Sequence, residues 1–389
     1  MTVTTVGVLP VYLVGVLSVQ LREDIGFGPA VLGLLAAGFF ATSAAASFAA
    51  GLTARRWSSS TVMRASAAAS AATMLFIALQ ARDTVTLSAA LVIGGCANGA
   101  GQPASNSLIA SAVSERRQGL AYGLKQAAIP LSTLLAGVAI PLVAIPFGWR
   151  WAFGLAGALA VGVVGGIPGG TPDRPGVVRQ PSVAAGPFRR APLLVLSAGL
   201  LLAAGCGNAL GAFFVASAVS SGVKPATAGL LAAVASLGGV ATRVLLGWLA
   251  DRAHARWLLV VAGQMVVGAV GYALVGSGRP VLMAGGALLG YCSGWAWAGL
   301  ATYAVSRMHH GMTARATGIT QGGLGLGSAL GPLAFGTTVA ATSYATAWYG
   351  TAVLSLVAAV VCGIGRQMLL KDRPALVAAH QLRRPAARI

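Results

Sequence analysis

The chain is short of charge, and shortest of negative charge. Of 389 residues only 8% are charged, and Asp and Glu together number 7. A soluble globular domain carries about 25% charged residues, so that class is excluded. Disorder needs low hydrophobicity, and 57% hydrophobic residues with a mean hydropathy of +0.81 exclude it too. Cysteine is scarce. Cys96, Cys206, Cys292 and Cys362 stand singly in apolar runs, with no C-x-x-C pair and no His nearby. Neither a metal site nor a disulfide framework is expected, and the four read as small buried thiols. There is no phosphate loop, acidic cluster or Ser-His-Asp set, so no enzyme and no cofactor is expected.

What is present is apolar sequence in long blocks. About 18 or more consecutive apolar residues make a candidate spanning helix. Twelve such runs lie near residues 2–20, 29–50, 61–80, 85–112, 119–145, 149–168, 192–218, 226–249, 257–276, 280–304, 314–340 and 343–365. The start has no basic leader segment and no small-residue cleavage site, so it reads as a first spanning helix rather than a signal peptide. The longest break is rich in Pro, Gly and Arg. The expected organisation is a six-helix bundle over 1–168, a cytoplasmic linker over 169–191, a second bundle over 192–366 and a basic cytoplasmic tail over 367–389. The fold class is thus an all-α membrane protein with 12 transmembrane helices in two pseudo-symmetric halves.

Lys and Arg set the orientation. One side of the runs is left with Arg22, Arg82, Arg150, Lys224 and Arg279. The other gathers pairs such as Arg55–Arg56, Arg116–Arg117, Arg189–Arg190 and Arg383–Arg384. Both termini are therefore expected in the cytoplasm, with the chain in the inner membrane. The net charge of +19 then reflects topology and anionic lipid. It forms no basic patch or arm, so no nucleic-acid partner is expected. The expected partners are membrane lipid and a small-molecule solute, and the expected state is a monomer.

The halves repeat. Gly33-Leu34-Leu35-Ala36-Ala37 recurs as Gly229-Leu230-Leu231-Ala232-Ala233. The same offset takes Gly51 to Gly247, Gly94 to Gly290 and Cys96 to Cys292, and an offset one residue shorter takes Gly123 to Gly318 and Gln126 to Gln321. Parallel repeats with a site near the midplane are a transporter architecture. Under this offset Arg189 and Arg190 would map upstream of Met1, so either the start is assigned late or the first half lacks that flank.

After the eighth run comes Gly247-Trp248-Leu249-Ala250-Asp251-Arg252-Ala253-His254-Ala255-Arg256. It resembles the G-x-x-x-D-R-x-G-x-R/K signature of the major facilitator superfamily, with His254 in place of the second Gly. The first-half copy keeps Gly51 and Arg56 but has Arg55 where Asp is expected. Gly148-Trp149-Arg150-Trp151-Ala152-Phe153 and the glycines Gly318, Gly322, Gly325 and Gly331 before Pro332 are also similar to that superfamily. The resemblance implies transport by alternating access and leaves the cargo open. It also implies a gating role for Gly247, Asp251, Arg252 and Arg256. Asp251, at a helix end, is suited to cap a facing helix N-terminus or to pair with an Arg. The degraded first copy makes that lock one-sided.

Two cations fall inside runs: Lys125 in the fifth and Arg243 in the eighth. An intramembrane cation costs at least ~2.5 kcal/mol on insertion scales and calls for a partner or a function. The acids, Glu23, Asp24, Asp83, Glu115, Asp173, Asp251 and Asp372, all fall in loops or at helix ends. The histidines, His254, His309, His310 and His380, fall on the cytoplasmic surface, so no buried proton relay is expected. The superfamily fold would bring the fifth and eighth helices together and both cations toward one cavity. Arg243 is similar to the substrate arginine of monocarboxylate transporters, although Val244 replaces the Pro that follows it there. Lys125 and Arg243 are therefore the expected anion ligands. Asn98, Gln102 and Asn106 share a face of the fourth helix. With Gln126, Gln321, Asn208, Tyr12 and Trp295 they form the expected polar lining. The expected cargo is a small organic or inorganic anion. The alternatives are efflux of an amphipathic drug or metabolite, with the aromatic residues of the tenth helix foremost, and a non-transporting receptor or scaffold on the same fold.

Overall fold

The computed structural model describes residues 1–53, 58–114, 117–167, 189–253, 256–309 and 312–371. They fold into helices, with no strand among them. Numbered by apolar run, α1 joins Thr2–Val16 to Ser18–Ile25, followed by α2 (Pro29–Thr53), α3 (Ser59–Gln80), α4 (Thr84–Ala112), α5 (Gln118–Phe147) and α6 (Trp149–Gly166). The second half has α7 (Ala191–Ser220), α8 (Pro225–Arg252), α9 (Trp257–Gly276), α10 (Pro280–Met308), α11 (Thr313–Ala341) and α12 (Tyr344–Lys371). Eleven of these are long and apolar enough to cross a membrane as they stand, and the bent α1 makes a twelfth.

The differences from sequence expectation are local. The first run is not one straight helix, because its two pieces meet at 67° at Leu17. The last run continues to Lys371, beyond the expected start of the tail. Nearly all of the linker and the residues after Lys371 lie outside the described residues. α5 and α10 are continuous in direction but irregular inside. A π-helical turn occupies Ile140–Ala144 of α5, where Pro141 supplies no amide hydrogen. In α10 a π-helical turn at Gly290–Gly294 is followed by a turn over 295–297 before helix resumes at Ala298.

Helix starts repeat across the halves. Pro29 and Pro225 open α2 and α8, and Thr84 and Pro280 open α4 and α10, each pair at the offset of 196 carried by the Tyr12–Asn208 pair. The turns at one end of the bundle are short. Every positive-φ residue described is a glycine in one of them: Gly26 (78°), Gly148 (95°), Gly222 (88°) and Gly278 (66°). Only glycine takes this conformation at no steric cost. Gly26 and Gly222 are repeat mates. The opposite end, where α8 finishes at Arg252, is the basic end.

The halves meet through glycine. A Cβ on Gly33 of α2 would lie 2.5 Å from the carbonyl oxygen of Pro332 in α11, and one on Gly137 of α5 would lie 2.5 Å from that of Gly229 in α8. Backbones pack this closely only where a side chain is missing. Large apolar side chains such as Leu34, Phe48, Leu142 and Val281 point outward, the surface that lipid would cover.

Candidate functional site

At the basic end, α5 begins against the last turn of α8. Asp251 Oδ1 accepts the amide of Gly119 at 2.7 Å, and Oδ2 accepts that of Leu120 at 2.8 Å. A carboxylate here satisfies two orphan donors and meets the positive end of the α5 dipole. The approach needs Gly119, Gly123 and Gly247. A Cβ on Gly119 would come within 2.7 Å of the Gly247 carbonyl, and one on Gly247 within 2.6 Å of the Gly119 carbonyl. Sequence reasoning missed Gly119 and Gly123, whose four-residue spacing on the facing helix was the available signal. Tyr303 of α10 also donates to the Ala250 carbonyl at 2.9 Å. Arg252 does not cross to the other half; it lies over the Trp248 ring at 3.8 Å. Arg256 is exposed. The first-half copy at Arg55 and Arg56 lies outside the described residues.

Two expectations are corrected here. His309 is buried rather than on the surface, with Nδ1 3.0 Å from the Val305 carbonyl. Burial pulls its pKa below the ordinary value, against the pull of that carbonyl. Cys96 is exposed, and Cys292 only partly covered, while Cys206 and Cys362 are buried as expected. Isolated apolar residues of α4 face outward, so a thiol in an apolar run need not be inside.

α5 and α8 do lie face to face, and Thr133 and Ser236 meet across them at 2.7 Å. Their cations nevertheless bond in opposite directions, each within its own half. Lys125 is 7% exposed, and Nζ donates to Asn106 Oδ1 at 2.5 Å and to the Gln102 carbonyl at 3.4 Å, both on α4. Arg243 is 2% exposed and turns to α10. Its Nη2 donates to the Trp295 carbonyl, which the break in α10 has freed, and Nη1 to the Gly239 carbonyl at 3.3 Å. Its carbon Cζ lies 5.7 Å from the Trp295 ring centre, and Nε has no partner. Among the described residues no carboxylate bonds either cation; Asp251 is engaged by α5. Lys125 and Arg243 therefore share no hydrogen-bonding partner, each bonding oxygen atoms of its own half.

The polar residues divide accordingly. In the first half Asn98 donates to Ser43 at 2.8 Å and Gln102 to Asn98 at 3.2 Å. The α4 stripe runs from buried Asn98 to exposed Asn106. On the midline Tyr12 donates to Asn208 Oδ1 at 2.7 Å, and Asn208 donates on to Ser328 at 3.0 Å. Tyr12 and Asn208 are repeat mates, so this bond joins equivalent positions of the two halves. The Tyr12 and Trp295 rings are edge to face at 5.5 Å, and those of Tyr291 and Trp295 at 5.6 Å. Gln321 donates to Thr302 at 3.2 Å, and Gln126 packs by Gly299; neither bonds the two cations. Ser43, Ser328, Tyr272 and Tyr291 were not singled out from sequence, since Ser and Tyr are unremarkable in apolar helices until their partners are known.

Space beside Arg243 is small. A void of about 10 Å³ touches Gly123, Arg243, Gly247, Ala296 and Tyr303, at the lower limit for one water. A wider recess of about 410 Å³ opens at the other end, lined by Val19, Arg22, Glu23, Phe27, Ala216 and Tyr344. Ala216 is four residues from Ala212, on whose backbone Gly15 rests. Four residues of helix rise about 6 Å, so a thin contact between α1 and α7 parts this recess from Tyr12, Trp295 and Arg243. The halves touch at both ends, through Gly119 and Gly247 at the basic end and through Gly33 with Pro332 and Gly137 with Gly229 toward the other.

The sequence profile of the Major Facilitator Superfamily matches residues 2–220 and again 195–384. No curated protein matches the chain. Its fold is similar to that of a bacterial homolog of the human lysosomal transporter Spinster, in an inward-facing and occupied conformation. The TM-score is 0.70 at 17% identity, over 95% of this chain and 96% of that one. The inward-facing and unoccupied form of that protein gives the same values. A D-xylose–proton symporter matches with a TM-score of 0.70 at 15% identity, over 93% of this chain and 95% of that one.

Proposed function

The chain belongs to the major facilitator superfamily of membrane transporters, which carry small molecules by alternating access, and from that premise we propose that its cargo is a small anion. The observation that supports this reading is Arg243: a guanidinium 2% exposed, bonded only to carbonyl oxygens, with Nε unpartnered. Carbonyls screen a cation without neutralising it, and an anion gains more from the guanidinium than they do. Lys125 is the second cation on the route, held by neutral groups of α4, and passes the anion along the first half. Asn98, Gln102, Asn106 and Asn208 supply neutral hydrogen bonds along the way, and Gln126 and Gln321 flank the path.

Asp251 on the α5 amides is the closing contact of the basic end, which the distribution of Lys and Arg makes the cytoplasmic side of the inner membrane. In this state the solute approaches by the recess between α1 and α7. Opening toward the cytoplasm then requires the Asp251 contacts to part.

The test is counterflow of labelled small monocarboxylates and inorganic anions in liposomes carrying the purified protein. Arg243→Ala is expected to abolish it, and Lys125→Ala to slow it. The aromatic enclosure of Tyr12, Tyr291 and Trp295 favours a second reading, export of an amphipathic compound. Dye export that survives Arg243→Ala, with no anion flux in the wild type, supports that reading and sinks the first. A stable protein partner without any flux supports a receptor.

A further inference from the structure

Two hydrogen-bonding atoms without partners lie where α10 breaks, Nε of Arg243 and the hydroxyl of Tyr272. The Tyr291 hydroxyl nearby faces the hydroxyls of Ser236 and Thr133. Both tyrosines are fully buried. The Tyr272 hydroxyl lies against Gly294, where a Cβ would come within 2.5 Å of it. Tyr291 sits at the start of the π-helical turn and packs its ring on Trp295. A Cβ on Gly239 would meet the Tyr291 carbonyl at 3.0 Å and Arg243 Nη1 at 3.3 Å. All three groups thus border residues 290–295, with the Tyr291 hydroxyl on the side of the Thr133–Ser236 contact between the halves.

A buried polar group without a partner is costly, and two of them in one place call for an explanation. The repeat sharpens the point. At the 196-residue offset, Arg243, Tyr272, Tyr291 and Trp295 correspond to Ser47, Phe76, Gly95 and Gly99. The frame of the fold therefore needs neither the hydroxyls nor the guanidinium. Tyr272 and Phe76 differ by one oxygen atom, and the oxygen is on the side that has the cation.

We propose that Tyr272 and Tyr291 complete the Arg243 site, so that the break in α10 holds one compact monoanion with a guanidinium and two phenol donors, Tyr272 from inside the second half and Tyr291 from its border with the first. This rests on the anion reading above and adds residues, a place and a charge to it. All three groups are donors, which suits an acceptor-only ligand. One cation balances one negative charge; a dianion would leave a net charge in the low-dielectric interior. Arg243 is held off by the carbonyls of Trp295 and Gly239 until the ligand competes for it. Because α10 is already non-helical at 295–297, that exchange breaks no regular turn. Small carboxylates and inorganic monoanions such as nitrate share this chemistry, and the assay separates them.

The experiment is thermal unfolding of the purified full-length protein, titrated with acetate, lactate, formate, nitrate and the dianion sulfate. A ligand preferring the folded state raises the midpoint. Monoanions are expected to do so at concentrations where sulfate does not, and whether carboxylates or nitrate bind better names the class. Tyr272→Phe and Tyr291→Phe are each expected to weaken apparent affinity about tenfold or more, the loss of one charge-assisted hydrogen bond. Without ligand Tyr272→Phe is expected to melt no lower than wild type, since it removes an unpaired hydroxyl. Phe76→Tyr is expected to leave affinity unchanged. If monoanions stabilise the wild type and Arg243→Lys abolishes this, while both Phe variants bind normally, the tyrosine site is wrong and the anion reading stands. If Tyr272→Phe melts lower without ligand, its hydroxyl is structural and the proposal falls. If no anion shifts the wild type and none is transported, the anion reading itself has failed.

Discussion

Gly33 rests on the backbone of Pro332, and Gly137 on that of Gly229. Gly33 and Gly229 are repeat mates, and Gly137 and Pro332 correspond under the offset that pairs Gln126 with Gln321. One contact is therefore made twice, once for each half reaching into the other. The side chains between the frames are not copied. Asn98 bonds Ser43 in the first half, while the second half has Gly294 and Gly239 at those positions. Arg243, Trp295 and Asp251 have Ser47, Gly99 and Arg55 as mates. The lesson is that symmetry survives where backbones touch, because both halves must rock on similar surfaces. It is lost at the buried Arg243 and at the Asp251 contact, where only one half carries the charge and the latch.

The strongest way to break this comparison is to fill the shared contacts. Gly33→Leu and Gly137→Leu each put a side chain where a carbonyl lies 2.5 Å from the first carbon. Overpacking costs typically about 1–3 kcal/mol, occasionally more. Both variants are expected to lose most counterflow and to elute as expanded or aggregated protein. A variant that kept full flux would show that one of the two interfaces opens in the resting state.

Next is the latch. Asp251→Asn keeps shape but loses the charge and one acceptor, and a charge-assisted hydrogen bond contributes about 1.5–3 kcal/mol. The basic end is expected to open more than tenfold more often. A cysteine at Leu246, with Cys96 and Cys292 replaced by Ala, reads this as faster labelling by an impermeant thiol reagent from that side. Unchanged labelling would make Asp251 a topological charge only.

Tyr12→Phe tests a bond that lies between repeat mates themselves. Removing a neutral hydrogen bond costs about 1 kcal/mol, so counterflow is expected to change by no more than about fivefold. Asn208→Ala is expected to exceed it, since Asn208 also holds Ser328 and the Ala204 carbonyl.

The smallest effect concerns the mates Asp83 and Arg279. Asp83 caps α4 by accepting the Thr86 amide at 2.8 Å, whereas Arg279 gives α10 no side-chain cap. Arg279→Asp is expected to raise stability by about 1 kcal/mol. The Thr86 amide and hydroxyl hold the Asp83 carboxyl below its usual pKa. The folded value being the lower one, the cap's contribution is present above the ordinary carboxylate range and is lost as pH falls through the lowered value. Asp83→Ala should therefore lower the melting temperature at neutral pH and erase the gap from wild type in acid.

Most of the scaffold was legible in the sequence because a bilayer demands it. Apolar length alone places each spanning helix within a few residues, and prolines such as Pro225 and Pro280 mark where helices begin. The bend at Leu17 and the break after Gly294 were not legible, since hydropathy has no term for direction. Of the site, Asp251 could be read because a carboxylate at a helix end has few uses. The partners of Lys125 and Arg243 could not. Which way a long side chain turns is decided by carbonyls that only the folded bundle exposes, and the Trp295 carbonyl exists as an acceptor only because α10 is broken.

The left-handed glycines Gly26, Gly148, Gly222 and Gly278 stitch α1 to α2, α5 to α6, α7 to α8 and α9 to α10 with scarcely any slack. Four pairs of rods are thereby riveted at one rim and leave little room for their ends to slide past each other. Every one of these rivets holds two rods of the same half and none spans the two halves. Each half can then tilt as a block, and lengthening any of the four turns is expected to loosen a block rather than to free the passage between them.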